Sequence, residues 1–298
     1  MKKFVFCLAL MLAPLHALSQ VQSLTHQDVK RKYIVYTPAA YAAAPERQFP
    51  LVLNFAGGGM TAAEQMLYTQ MNRTAERYGF IVVYPQGIKN DWNVGFGMSY
   101  KEGTDDVGFV RAILTTMQRD YRIDPRRVYA TGLSRGGFFS LRLAAEMPQQ
   151  FAAVASVGAP LPEPVIEHHR QRLPVGVMLV QGTSDSVVSY EGKAGSYLSA
   201  PATLDYWLKV NAMEQSPAQT RQLQPAMGDP TAATIVEHAH GGRRVSLLTI
   251  KDGGHTWPGA DPFNIGLPIG RTSKAANANE LIWDFFRRHS NDAPSPAQ

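Results

Sequence analysis

The chain has 298 residues, 45% of them hydrophobic and 18% charged, with a formal net charge of +5. That composition excludes an intrinsically disordered protein, and a single cysteine, Cys7, excludes a disulfide scaffold. The positive charge is dispersed, with Arg126-Arg127 and Arg287-Arg288 as isolated pairs, so no nucleic-acid surface is expected.

Met1-Lys2-Lys3 and the apolar run Phe4 to Ala13 have the form of an export signal, too short to span a bilayer, with Ala17 and Ser19 where a signal peptidase reads small residues. Residues 1–19 are therefore expected to be cleaved, which removes Cys7, takes the charge from +5 to +3 and leaves no membrane segment. Tyr33 to Tyr36 reads as an early strand, and Leu51 to Phe55 and Ile81 to Tyr84 as buried strands on either side of a helical period from Ala62 to Tyr78. Asp105-Asp106 is placed to cap a helix through Val107, Phe109, Ile113 and Met117. A strand from Arg127, a helix from Phe138 to Glu146, and strands at Ala152 to Val157 and Val175 to Val180 follow. Leu204 to Val210 reads as a helix, Gly241-Gly242 as the turn of a hairpin between Thr234 to Val236 and Val245 to Ile250, and Ala275 to His289 as the last helix. This alternation predicts an α/β fold with a mostly parallel central sheet and helices on both faces. Residues 20–290, undivided by any linker, are expected to form one domain, with 291–298 a disordered tail.

The most informative stretch is Tyr129-Ala130-Thr131-Gly132-Leu133-Ser134-Arg135-Gly136-Gly137. A strand runs into a G-x-S-x-G pentapeptide and a helix leaves it, the pattern of a nucleophile elbow. Side chains at Gly132 and Gly136 would collide across so sharp a turn, and the backbone strain pushes the serine Oγ into the open. Because Ser134 lies at a helix N-terminus, the amide of Arg135 is a candidate oxyanion donor. A nucleophilic serine also needs a base and an acid to orient it, and on this kind of sheet they follow in the order Ser, Asp or Glu, His. Asp185 sits in a loop at the carboxyl end of the Val175 strand, and His255 in a loop after the Val245 strand. Loops at the carboxyl ends of parallel strands converge, so these three side chains are expected to meet. Asp106 is the alternative acid, but it precedes the serine and reads better as a helix cap. His238 and His240 could share a strand face and bind a metal, yet no third ligand is evident; no metal or other cofactor is expected. Trp92, Tyr190 and Trp257 are candidates for a substrate-binding surface and equally for core, while Met60, Met66 and Met71 read as helix-to-sheet packing.

Asp106-Val107-Gly108-Phe109, the run Tyr121 to Tyr129, Gly254-His255-Thr256-Trp257-Pro258-Gly259, and Pro85-Gln86-Gly87 followed by Trp92-Asn93 together resemble the secreted esterases grouped as polyhydroxybutyrate depolymerases, with feruloyl and acetyl-xylan esterases among them. The resemblance runs from about Tyr33 to Phe286. It implies an α/β-hydrolase fold and carries a catalytic triad onto Ser134, Asp185 and His255. Where that family usually has His-Gly, this chain has Ala56-Gly57 followed by Gly58-Gly59-Met60. Oxyanion donors are backbone amides, so Gly58, with Gly57 as alternative, is expected to serve beside Arg135. The expected function is an exported serine carboxylesterase. Its expected substrates are short hydroxyalkanoate oligomers, slightly favoured, or feruloyl and acetyl esters of plant-wall saccharides. The alternative is a non-catalytic hydrolase-fold binding protein. Only nine residues follow His289, so no separate polymer-binding module is expected after the last helix, and soluble esters are favoured over a solid polyester.

Overall fold

A computed structural model describes residues 18–224, 227–262 and 268–291. The chain opens with a hairpin, β1 (Leu18–His26) and β2 (Val29–Thr37), then a short helix α1 (Ala39–Ala43) and strand β3 (Phe49–Phe55). Two helices, α2 (Ala62–Thr69) and α3 (Met71–Tyr78), lead to β4 (Ile81–Pro85), and α4 (Asp106–Asp120) leads to β5 (Ile123–Leu133). Next come α5 (Arg135–Glu146), β6 (Ala153–Val157), α6 (Glu163–His168), β7 (Gly176–Gly182) and α7 (Ala200–Val210). The edge strand β8 (Gln219–Leu223), strands β9 (Ala232–His240) and β10 (Arg243–Lys251) and helix α8 (Ala278–Phe286) complete the described strands and α-helices.

All ten strands join one sheet in the order β1-β2-β4-β3-β5-β6-β7-β10-β9-β8. The six central strands, β4 to β10 in that order, are parallel, and two antiparallel strands flank them at each edge. Every residue of β3 and β7 is buried, because helices cover the parallel strands on both faces. One face packs Leu51, Leu53 and Ala130 against α4, α5 and α7, and the other packs Val52 and Tyr129 against α2, α3 and α8. This is the mixed, mostly parallel α/β sheet expected.

The structure corrects several element boundaries. The helical period from Ala62 to Tyr78 is two helices, because Gln70 takes a left-handed backbone (φ 50°, ψ 29°). Both halves face the same core, so the spacing alone reads through the break. Ser199 caps α7, starting it before Leu204, and Asn277 caps α8, starting it after Ala275. Gly241 and Gly242, both at positive φ, turn the β9–β10 hairpin as expected. The segment expected to be cleaved lies outside the described residues except Leu18 and Ser19, which pair with Thr37 and Tyr36 as the first residues of β1. The expected tail likewise falls outside, apart from Asn291. Among the described residues no helix is long and apolar enough to cross a membrane.

Candidate active site

Ser134 occupies the junction of β5 and α5 with φ 54° and ψ −118°, a conformation that costs a non-glycine residue of order 1–3 kcal/mol and persists only where the surroundings impose it. The surroundings are tight. A Cβ on Gly136 would lie 2.2 Å from the carbonyl oxygen of Phe55, and one on Gly132 would lie 2.5 Å from the carbonyl carbon of Gly136. The end of β3, the end of β5 and the start of α5 thus touch through bare backbone. The amide of Ser134 donates to the Val157 carbonyl at 2.8 Å, tying the turn to β6.

Asp185, three residues past β7, is buried and uses both oxygens. Oδ1 accepts from the amides of Val187 (2.9 Å) and Val188 (2.8 Å), and Oδ2 accepts from Gln181 Nε2 (3.2 Å) and from His255 Nδ1 (2.7 Å). A carboxylate held by this many donors has no freedom to turn, so it fixes the tautomer of His255 and leaves Nε2 as the nitrogen able to accept a proton. His255 is 6% exposed, and it lines a cavity of about 360 Å³ together with Ser134. The three side chains chosen from sequence are therefore brought together from three separate loops.

Gly57, Gly58 and Gly59 form one wall of the same cavity. A Cβ on Gly57 would approach Ser134 Cβ to 3.7 Å, and one on Gly58 would approach Arg135 Cβ to 3.6 Å, so the loop runs alongside the elbow. The Gly59 amide donates to the Asn90 carbonyl and the Met60 amide to the Gly57 carbonyl. The amides of Gly57, Gly58 and Arg135 have no hydrogen-bond partner among the described residues. The Arg135 amide, at the head of α5, favours negative charge, and the free amides of Gly57 and Gly58 lie on the loop beside it. The Arg135 side chain is ion-paired, its Nε donating to Asp91 Oδ1 at 2.8 Å, and its guanidinium lies over Phe96 with Nη1 buried and unpartnered among the described residues.

The profile of the esterase PHB depolymerase family matches residues 31–204. The chain belongs to this family. It is 30% identical over 279 residues to a putative esterase, NocK, of Nocardia uniformis subsp. tsuyamanensis, covering 86% of this chain and 79% of that protein. It is 32% identical over 278 residues to a bifunctional acetylxylan esterase/xylanase of Neocallimastix patriciarum, covering 91% of this chain but 35% of that protein. Feruloyl esterase B of Piromyces equi is 26% identical, over 87% of this chain and 45% of its own length. The chain thus spans less than half of the last two. The fold matches the acetyl xylan esterase structure from Aspergillus awamori with a TM-score of 0.63 at 16% identity, over 90% of this chain and 99% of that one.

Of the three aromatics read equally as substrate surface or core, two take the core reading and the third is half-buried. Trp92 and Trp257 are each 1% exposed and belong to the core. Trp92 stacks on Phe139 (5.1 Å, 12°), meets Phe55 edge-on, and donates its indole N–H to the carbonyl of Ala56 at 3.0 Å. Trp257 donates its amide to Tyr68 Oη and its indole N–H to Asn279. The Tyr190 hydroxyl meets Thr249 Oγ1 at 3.1 Å, and the ring packs against the core. Burial outcompetes display at the two tryptophans, because a large aromatic gains more from a packed interior than from solvent, while Tyr190 is half-buried. Asp105, not Asp106, caps α4, accepting from the Gly108 amide. Asp106 is buried against Arg31 (2.8 Å) and the Asn93 amide, and it is Asp185 that bonds His255. Met60 lines the cavity as well as packing α2. Sequence reasoning missed the rest of the lining, Glu64, Tyr68, Leu133, Val187 and Ile269. Only Glu64 carried a signal, the T-x-x-E capping box that begins one residue past Met60. A larger cavity of about 550 Å³ lies against β8, β9 and α8 and contains none of the candidate residues.

Proposed function

We propose that this family member is an exported serine carboxylesterase, with residues 20–290 as its single catalytic domain. Ser134 Oγ attacks an ester carbonyl while His255 Nε2 takes its proton, and Asp185 steadies the imidazolium that forms. The amides of Arg135 and Gly58, with Gly57 as the alternative to Gly58, receive the negative charge that develops on the carbonyl oxygen. The alcohol leaves with the proton from His255, and water, deprotonated by the same nitrogen, hydrolyses the acyl-enzyme. None of these steps calls for a cofactor. The single observation that carries the reading is the strained Ser134 sharing one cavity with a histidine whose Nδ1 is locked to Asp185. Export is inferred from the leader-like residues 1–19.

The cavity of about 360 Å³, walled largely by Met60, Tyr68, Leu133, Val187 and Ile269, suits a short or flat apolar acyl group. The substrates we propose are soluble esters, either feruloyl and acetyl esters of plant-wall saccharides or short hydroxyalkanoate oligomers. The test is release of acid from 4-nitrophenyl butyrate, methyl ferulate, acetylated xylan and a hydroxybutyrate trimer. Ser134→Ala should lower kcat by roughly a millionfold on every ester that is cleaved. A wild-type chain inert on the whole panel, or a Ser134→Ala chain that retains turnover, overturns the reading.

A further inference from the structure

Glu64 is the one acidic side chain in the cavity lining, and among the described residues no lysine or arginine lines that space. Its role as partner in the capping box explains half of it. Glu64 Oε2 accepts from the amide (2.7 Å) and hydroxyl (2.9 Å) of Thr61, while Oε1 has no partner among the described residues. The bonds from Thr61 hold the Glu64 carboxyl below its ordinary range, so it is ionised at neutral pH. The helix that carries it is anchored to the rest of the site. One helical turn on, Tyr68 Oη accepts the amide of Trp257 in the histidine loop, and the carbonyl of Thr69 accepts from Asn279. The cation at the elbow, Arg135, is ion-paired with Asp91 and does not line the cavity. A substrate carboxylate entering this cavity meets the negative charge of Glu64, which is exposed to solvent but held in place by Thr61, and no cationic side chain among the described residues lines the space to offset it.

Resting on the esterase reading above, we propose that Glu64 is a specificity-determining residue. It selects esters uncharged on both sides of the scissile bond and rejects those bearing a carboxylate nearby. The same field repels the acid that hydrolysis itself produces. Of the two substrate classes, this favours acyl esters of neutral saccharides. A free hydroxyalkanoate oligomer carries a terminal carboxylate, so its bond next to that end is disfavoured.

The experiment compares dimethyl succinate with its monoanionic product, monomethyl succinate, in a pH-stat, using the wild-type chain and Glu64→Gln. Glutamine serves the capping box as well as glutamate, so α2 keeps its start. Like charges sharing one cavity, one of them exposed to solvent, should lower kcat/KM for the anionic ester roughly twofold to threefold, and 0.5 M salt should shrink that factor. Glu64→Gln is expected to gain activity on monomethyl succinate and to lose the salt dependence of the ratio, which a purely structural role would not produce. An independent arm measures calorimetric binding of ferulate and of methyl ferulate to Ser134→Ala, with and without Glu64→Gln. A preference for the neutral compound that Glu64→Gln abolishes supports the inference even if no ester is turned over, in which case only the esterase reading fails. Equal handling of the anionic and neutral compounds by the wild-type chain, or a preference unchanged in Glu64→Gln, overturns it.

Discussion

Replacing Trp92 by phenylalanine separates two roles that a tryptophan beside an active site could have. The indole is buried, and its N–H is the donor to the carbonyl of Ala56, the residue that leads directly into Gly57 and Gly58. Phenylalanine keeps the ring contacts with Phe55 and Phe139 but supplies no donor. A buried carbonyl left without its partner costs about 1–3 kcal/mol. The smaller ring also vacates roughly 40 Å³, worth about 1 kcal/mol at the usual cavity coefficient. Trp92→Phe is therefore expected to lose about 2–4 kcal/mol of stability in urea titration. It should also lower kcat similarly on every ester, acetyl or feruloyl, because the loop carrying the Gly57 and Gly58 amides is no longer braced. A tryptophan that instead contacted substrate would raise KM for bulky esters only and leave the urea midpoint in place; that result would refute the bracing role.

Asp185→Asn should cost about ten-thousandfold in kcat, because an amide cannot accept from His255 Nδ1 while satisfying Val187, Val188 and Gln181; near-normal turnover would remove Asp185 from the triad. Gly136→Ala places a Cβ 2.2 Å from the Phe55 carbonyl oxygen, and since the obstacle is backbone the chain should lose at least about 3 kcal/mol or fail to fold; a wild-type urea midpoint would contradict that contact. His289 is buried, with Nδ1–H donating to Phe285 and Nε2 accepting from the Arg244 amide, and burial pushes its pKa down to about 4. The unfolded chain binds a proton there at about pH 6.5 and the folded chain does not, so this stability is complete above pH 6.5 and lost as pH falls towards 4, at up to about 1.4 kcal/mol per pH unit. Urea midpoints measured from pH 7 to 4.5 should fall, and the fall should be shallower in His289→Gln; identical profiles for the two chains would count against it.

Ser134, Asp185 and His255 were legible because each sits where a recognisable apolar strand ends, and the geometry of a parallel sheet brings those ends together. The glycine loop was legible for the same reason, as it follows β3 directly. The cavity wall was not. Tyr68, Val187 and Ile269 reach it from α2 and from the two loops that carry Asp185 and His255, and nothing local to any of them records that approach. Trp92 and Trp257 were ambiguous because an aromatic near a catalytic loop has the same spacing whether it faces in or out; the hydrogen bonds to Ala56 and Asn279 decide it. Asp105 and Asp106 are adjacent acids before one helix, and only the exact start of α4 distinguishes the cap from the buried partner of Arg31. The edge strand β8, Gln219–Leu223, is exposed along most of its length and has almost no apolar alternation to betray it.

The central claim is that Ser134 is a nucleophile driven by the His255–Asp185 pair. It is tested most directly by treating the purified chain with a fluorophosphonate and mapping the adduct by mass spectrometry. The expected result is one adduct per chain, on the peptide containing Ser134, formed in step with loss of ester hydrolysis and abolished in His255→Ala. Labelling at another residue, or full labelling of Ser134 with hydrolysis intact, would contradict the account.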